Sequence, residues 1–105
     1  MEKLFAITST GKTLRSIHDL QFGRCKFLVI HKPGEDVSKL VANPFKEEEN
    51  ADMQLAEFLV KNNITSVITG GVGIKVSDYL AAHKIQLIIM DEEKIKIEEI
   101  LTRIG

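Results

Sequence analysis

The order of patterns along the chain predicts the α/β class, with a mixed sheet and helices packed on it in the order βββαβαβα. Two observations carry this. The first half holds short apolar runs divided by turn residues, and the second half alternates stretches of helical period with further short apolar runs. A hairpin followed by such an alternation makes some strands antiparallel and others parallel, because parallel neighbours need a crossover helix between them.

Leu4 to Thr8 reads as a first strand, stopped by Ser9, Thr10 and Gly11. The stretch "GKTLRSIHDLQFGR" shows no clear period and reads as a long, partly basic loop. Phe27 to His31 is a second strand, closed by the turn residues of "KPGED", and Val37 to Ala42 returns toward "NPF" as the antiparallel partner. From Asn50 the period changes. Met53, Ala56, Leu59 and Val60 recur at helical spacing behind a capping Asn50 or Asp52. Ser66 to Thr69 is the fourth strand and runs through "GGVG" into a helix over about Lys75 to His83, which buries Val76, Tyr79 and Leu80. Ile85 to Met90 is the fifth strand. Asp91 is placed to cap a last helix whose Ile97, Ile100, Leu101 and Ile104 share one stripe, while Glu93, Lys96, Glu98, Glu99 and Arg103 face water.

Composition narrows the function. A chain of 105 residues fits one domain with a real core. Fourteen basic against fifteen acidic residues leave a net charge of -1, so bulk charge does not argue for nucleic acid or an anionic membrane. The single cysteine forms no internal disulfide and suits a reducing compartment, hence a cytoplasmic location. The apolar stretch at the N-terminus is too short for a signal peptide, and no segment reaches the roughly 18 apolar residues of a membrane span. The acidic run in "FKEEEN" reads as a solvated loop before a helix.

Two stretches could carry chemistry. In "ITSVITGGVGIKV" a strand passes Gly70, Gly71 and Gly73 into a helix, so bare N–H groups and the helix dipole could hold an anion, although glycines at such a turn are also often purely conformational. A phosphate loop is a poor match: no Gly-Lys-Ser/Thr ending is present, and Val76 stands where a dinucleotide fingerprint has its third glycine. Asp91 does sit where a ribose-binding acid would. In "HDLQFGRCKFLVI", His18, Arg24 and Cys25 precede the second strand. Cys25 is a nucleophile only if folding brings His18, His31 or His83 beside it, and otherwise a small hydrophobe. His18 and Cys25 match no standard zinc spacing. Asp19, Asp36, Asp52, Asp78 and Asp91 fall in loops or at helix ends, which argues against two-metal nuclease chemistry.

Taken together, "FGRCKFLVI", "NPF", "QLAEFLVKNNITSVITGGVG" and "LAAHKIQLII" resemble the dinitrogenase iron-molybdenum cofactor biosynthesis family over nearly the whole chain. The resemblance implies a single domain, residues 1–105, with a three-layer α/β/α, ribonuclease-H-like fold and no nuclease or other catalytic activity. It implies a carrier or accessory domain for an iron-sulfur or iron-molybdenum cluster intermediate. The partners would be the metal cluster or cluster-assembly proteins, with no nucleic acid and no membrane, and the chain a monomer or weak homodimer. Family members commonly place a histidine directly before Phe-Gly-Arg as the cluster ligand; here that position is Gln21, and the nearest histidine is His18. Where relatives often have a histidine- and glycine-rich loop, this chain has "EEENADMQ".

The site expected on this basis uses Arg24, Cys25, Gly70, Gly71 and Gly73 to hold the cofactor, with Cys25 and His18 as metal ligands. Lys12, Arg15, Arg24 and Lys26 would draw an anionic cluster, and Cys25 would offer a soft thiolate. A blander role for Arg24 is to pair with a carboxylate and anchor its loop. The alternative function is a cofactor-free interaction or regulatory domain of the same fold that has lost the cluster ligand. It would work by burying Phe22 or Phe45 against a partner, or by pairing an exposed edge strand with a second copy.

Overall fold

A computed structural model describes residues 2–35 and 38–104 of the chain, so Asp36 and Val37, the latter the expected start of the third strand, lie outside the described residues. The elements follow the expected order: β1 (Phe5–Ser9), β2 (Phe27–His31), β3 (Lys39–Ala42), α1 (Ala51–Lys61), β4 (Ser66–Thr69), α2 (Ile74–Ala82), β5 (Gln86–Ile89) and α3 (Ile97–Ile104). They build one five-stranded mixed sheet in the order β3-β2-β1-β4-β5. The strands β1, β2 and β3 pair antiparallel in turn, with Ile7 opposite Val29 and Val29 opposite Leu40, while β4 and β5 run parallel to β1.

The layers follow from the connections. Both crossovers, β3-α1-β4 and β4-α2-β5, advance the same way across the sheet, and connections of one hand therefore set both helices on the same face. That face packs Ala6, Leu28 and Val67 of the sheet against Leu55, Ala56 and Leu59 of α1 and Val76 and Leu80 of α2. The opposite face packs Phe5, Ile7, Val29 and Ile68 against Ile97 and Ile100 of α3. The alternation of side chains along each strand supplies both cores, which is why β1 and β4 are buried along their whole length.

The two crossover helices end alike. In α1 the Ile64 N–H reaches the Leu59 carbonyl and the Asn63 N–H reaches Val60; in α2 Ile85 reaches Leu80 and Lys84 reaches Ala81. Each is a Schellman stop with its left-handed residue at Asn63 (φ 60°) or Lys84 (φ 61°).

Two expected caps are corrected. Asp91 is exposed and does not cap α3, which begins only at Ile97. Its first free N–H groups are taken by the long loop instead: Ile97 donates to the Ser16 carbonyl at 3.0 Å and Glu98 to the Leu14 carbonyl at 2.8 Å. At α1, Asn50 is the N-cap residue but makes no side-chain cap bond. Asp52, in the first turn, accepts a hydrogen bond from elsewhere.

Candidate functional site

The carboxyl ends of β1 and β4 lie side by side, and the chain leaves them in opposite directions: from β1 into the long loop, from β4 into the glycine turn and α2. Such a divergence opens a crevice at the strand ends. Here it is a cleft of about 550 Å³, walled by Gln21, Gly23 and Arg24 on one side, Asp52 below, and Gly71 and Gly73 on the other.

The loop is fixed at both ends. Its first arm folds back on β1 and on the segment before α3: the Asp19 N–H donates to the Thr8 carbonyl (2.9 Å), the Thr8 hydroxyl donates to the Asp19 carbonyl (2.6 Å), and the His18 N–H donates to the Ile95 carbonyl (2.8 Å). Its second arm is clipped by two side chains. The Asp52 carboxylate accepts the Gly23 N–H at 2.8 Å. The buried Asn43 donates from Nδ2 to the carbonyls of Gly23 and Cys25, at 2.8 Å each, while its Oδ1 accepts the Phe45 N–H at 3.0 Å. Arg24, held from both sides, is exposed and donates from Nη1 to the Lys46 carbonyl at 2.7 Å. Its partner is a carbonyl rather than the carboxylate considered from sequence, so this bond anchors the side chain without neutralising its charge.

The glycines divide into two kinds. A Cβ on Gly23 would collide with Asp52 and the start of α1, and one on Gly70 would lie 2.5 Å from the Leu20 carbonyl oxygen, so both are needed for packing. Gly71 and Gly73 are different. A Cβ on either would meet nothing within 4 Å, and neither has a positive φ. Among the described residues their bareness serves no contact of the chain with itself, and both border the cleft. Gly73 is also the N-cap of α2, with no side-chain cap bond.

The remaining sequence candidates stand apart from the cleft wall. Cys25 is fully buried in the core beneath α1 and α2. Burial, reinforced by the charge of Asp19, pushes its thiol up to about 12, so at neutral pH it is a neutral thiol and not a soft thiolate. His18 is also buried; its Nδ1 lies 2.8 Å from the Thr8 carbonyl oxygen and its Nε2 3.2 Å from that of Met90. Burial is the largest influence and holds its pKa below the ordinary value. Both ring nitrogens face carbonyls, so a metal could be taken only by giving one of them up. His31 Nδ1 faces the Ser38 hydroxyl and His83 Nδ1 the Tyr79 carbonyl. Lys12, Arg15, Lys26 and Asp91 are exposed and line no part of the cleft, and Val76 is a core residue of α2. Among the described residues no three His, Cys, Asp or Glu side chains gather as a metal-holding group.

Sequence reasoning missed Asn43 and the role of Asp52. The Asn-Pro pair does signal a turn, and the Oδ1 bond to Phe45 is that Asx turn. Nothing local signals that Nδ2 reaches back to Gly23 and Cys25. It also missed the apolar lips: Leu20, on the cleft wall, and Ile74, next to Gly73, are exposed by 37% and 81%.

A mixed α/β/α sheet that carries a glycine-bordered cleft at its strand ends, faced by a Phe-Gly-Arg loop, defines the class: a small α/β/α domain with a crevice at the sheet's switch point. The chain belongs to the dinitrogenase iron-molybdenum cofactor family, whose model matches residues 1–105. Among solved structures it is similar to the apo form of the orange protein from Desulfovibrio gigas, at 25% identity and a TM-score of 0.86, over 98% of this chain and 87% of that one. It shares its fold with a candidate NifB protein from Thermotoga, at 22% identity and a TM-score of 0.78, over 97% of this chain and 85% of that one. None of the curated proteins matches the chain. No helix among the described residues is long and apolar enough to cross a membrane.

Proposed function

We propose that the chain acts as one non-catalytic carrier or accessory domain, cytoplasmic, whose cargo is an anionic metal-sulfur cluster, iron-sulfur or iron-molybdenum, held in the cleft without a protein ligand to the metal. The observation that carries this reading is the pair Gly71 and Gly73, bare beside the cleft for no internal reason. Backbone N–H groups at an uncapped helix start, together with the Arg24 guanidinium, suit sulfide and other soft anionic atoms at the cluster's edge. The family supports the cargo class, and the D. gigas structure is named as an apo form, which implies a loaded one. Cys25 and His18 then serve the scaffold. A cluster that arrives with its coordination complete needs neither thiolate nor imidazole, which accommodates Gln21 at the lip of the cleft.

The test is anaerobic loading with iron and sulfide, with thiomolybdate, and with a preformed cluster, followed by visible absorption. Wild type and Cys25→Ala should take up cluster alike, whereas Gly73→Val and Arg24→Gln should lose most of it. No uptake by wild type, or uptake abolished by Cys25→Ala, sinks the reading. A second reading, a cargo-free interaction domain, is favoured by the exposed Leu20 on the cleft wall and the exposed Ile74 that follows Gly73. It gains if wild type loads nothing while Gln21→His confers loading.

A further inference from the structure

We infer that β5 is a self-association edge, through which two copies of this chain pair antiparallel, Leu87 of each opposite Ile89 of the other, to join their sheets into one. The inference is independent of the cargo.

The first ground is the open hydrogen-bonding row. Among the described residues β5 is the last strand of the sheet and pairs only with β4. The N–H groups of Gln86 and Met90 point inward, to the carbonyls of Thr65 (2.9 Å) and Thr69 (2.8 Å). Strand alternation then turns the N–H and C=O of Leu87 and Ile89 outward.

The second is the lack of protection. Edge strands are usually blunted by charge or proline, and β3 at the other edge begins with Lys39. β5 reads Gln-Leu-Ile-Ile, and its Ile89 side chain is 52% exposed.

The third is that charge and register select one arrangement. His83 and Lys84 precede the strand; Asp91, Glu92 and Glu93 follow it, and all five are exposed. Antiparallel pairing centred on Ile88 sets the basic end of each copy against the acidic end of the other, with Lys84 facing Glu92. Parallel pairing would set like charge on like. Glu92 already holds Arg103 at 3.0 Å, which leaves Asp91 and Glu93 to meet the second copy. The same centring makes both outward residues hydrogen-bonded partners and covers Ile89 with the second copy's Leu87. A slip that centres the pair on Leu87 would instead require the Ile85 N–H, which is bound to the Leu80 carbonyl at 2.9 Å. The contact is two-fold and closed, so it ends at a dimer. It places the two clefts at opposite ends of the joined sheet.

Sedimentation of the full chain from micromolar to millimolar concentration tests this. Wild type should show a concentration-dependent dimer. Ile89→Lys, an exposed position whose folding circular dichroism will verify, should weaken it at least tenfold. Lys84→Glu should weaken it too, and mixing Lys84→Glu with an Asp91→Lys, Glu93→Lys chain should restore a heterodimer. A third variant, Ile88→Cys, should cross-link on mild oxidation, because the two Ile88 residues face each other across the two-fold axis, and adding Ile89→Lys should abolish the cross-link. A wild type that stays monomeric at millimolar concentration overturns the proposal, and so does a dimer that Ile89→Lys leaves unchanged.

Discussion

Asn43 meets Cys25 at two atoms of the cysteine: the Asn43 Nδ2 donates to the Cys25 carbonyl at 2.8 Å and lies 3.7 Å from the Cys25 sulfur. With the further bond to the Gly23 carbonyl, the amide spans Arg24 and sets the backbone that presents it to the cleft. Truncation to Asn43→Ala leaves two carbonyls without their donor in a site that is 4% exposed, and a buried acceptor stripped of its partner costs about 1–3 kcal/mol. We expect Asn43→Ala to lose about 2–4 kcal/mol in urea unfolding. Asn43→Asp should lose at least as much, since a carboxylate in that place offers no donor to either carbonyl.

The glycines should separate in the same measurement. Gly70→Ala forces its methyl against the Leu20 backbone and should cost about 1–3 kcal/mol, as overpacking does. Gly71→Ala and Gly73→Ala add a methyl to open space and should stay within about 0.5 kcal/mol of wild type. A large loss at Gly71 or Gly73 would show that these two also serve the fold, and would remove the main support for the cleft as a ligand site.

Much of the fold is legible in the sequence because its signals are local. β2 and β4 have the bounds that their apolar runs mark, and the periods of α1 and α2 place both helices within a residue or so. The start of α3 is not legible, because its first N–H groups are satisfied by Leu14 and Ser16, carbonyls at the far end of the chain. The long loop shows no period for a related reason: its bonds to itself are isolated turns, such as the Ser16 N–H on the Thr13 carbonyl at 3.0 Å, and the bonds that fix its course go to β1, to Ile95 and to Met90. At the site, the glycine turn and the Phe-Gly-Arg loop are visible as motifs. Which glycine packs and which lies bare, and which way Cys25 points, depend on contacts with Leu20, Asp52 and Asn43 that only the tertiary structure supplies.

The twin helix stops allow a stabilising change. Asn63 is a residue type that tolerates the left-handed region, but Lys84 at φ 61° is not. Because Lys84 is exposed, relief of its backbone strain by Lys84→Gly should raise stability by about 0.5–1 kcal/mol, after allowance for the greater freedom of glycine in the unfolded chain. Asn63→Gly should gain less. Thermal unfolding of the two single variants checks the order, and a gain at Asn63 exceeding that at Lys84 would contradict the assignment.

The two buried titratable groups of the loop should bound the pH range of stability from opposite sides. His18 has its pKa lowered by burial, so the unfolded chain binds the proton more readily; its contribution is whole above the ordinary 6.5 and is lost as pH falls below that value. Cys25 has its pKa raised from 9.0 to about 12, so the folded chain keeps the thiol proton; its contribution is whole below 9 and is lost as pH climbs from 9 toward 12. We therefore expect a plateau in urea midpoints between about pH 6.5 and 9, with an acid limb that flattens in His18→Gln and an alkaline limb that flattens in Cys25→Ala. The same burial makes native Cys25 unreactive toward an aromatic disulfide reagent at pH 8, with full reaction only after denaturant is added. Rapid labelling of the native chain would mean that the loop opens readily to bring Cys25 to solvent, and would return it to the roster of candidate cluster ligands.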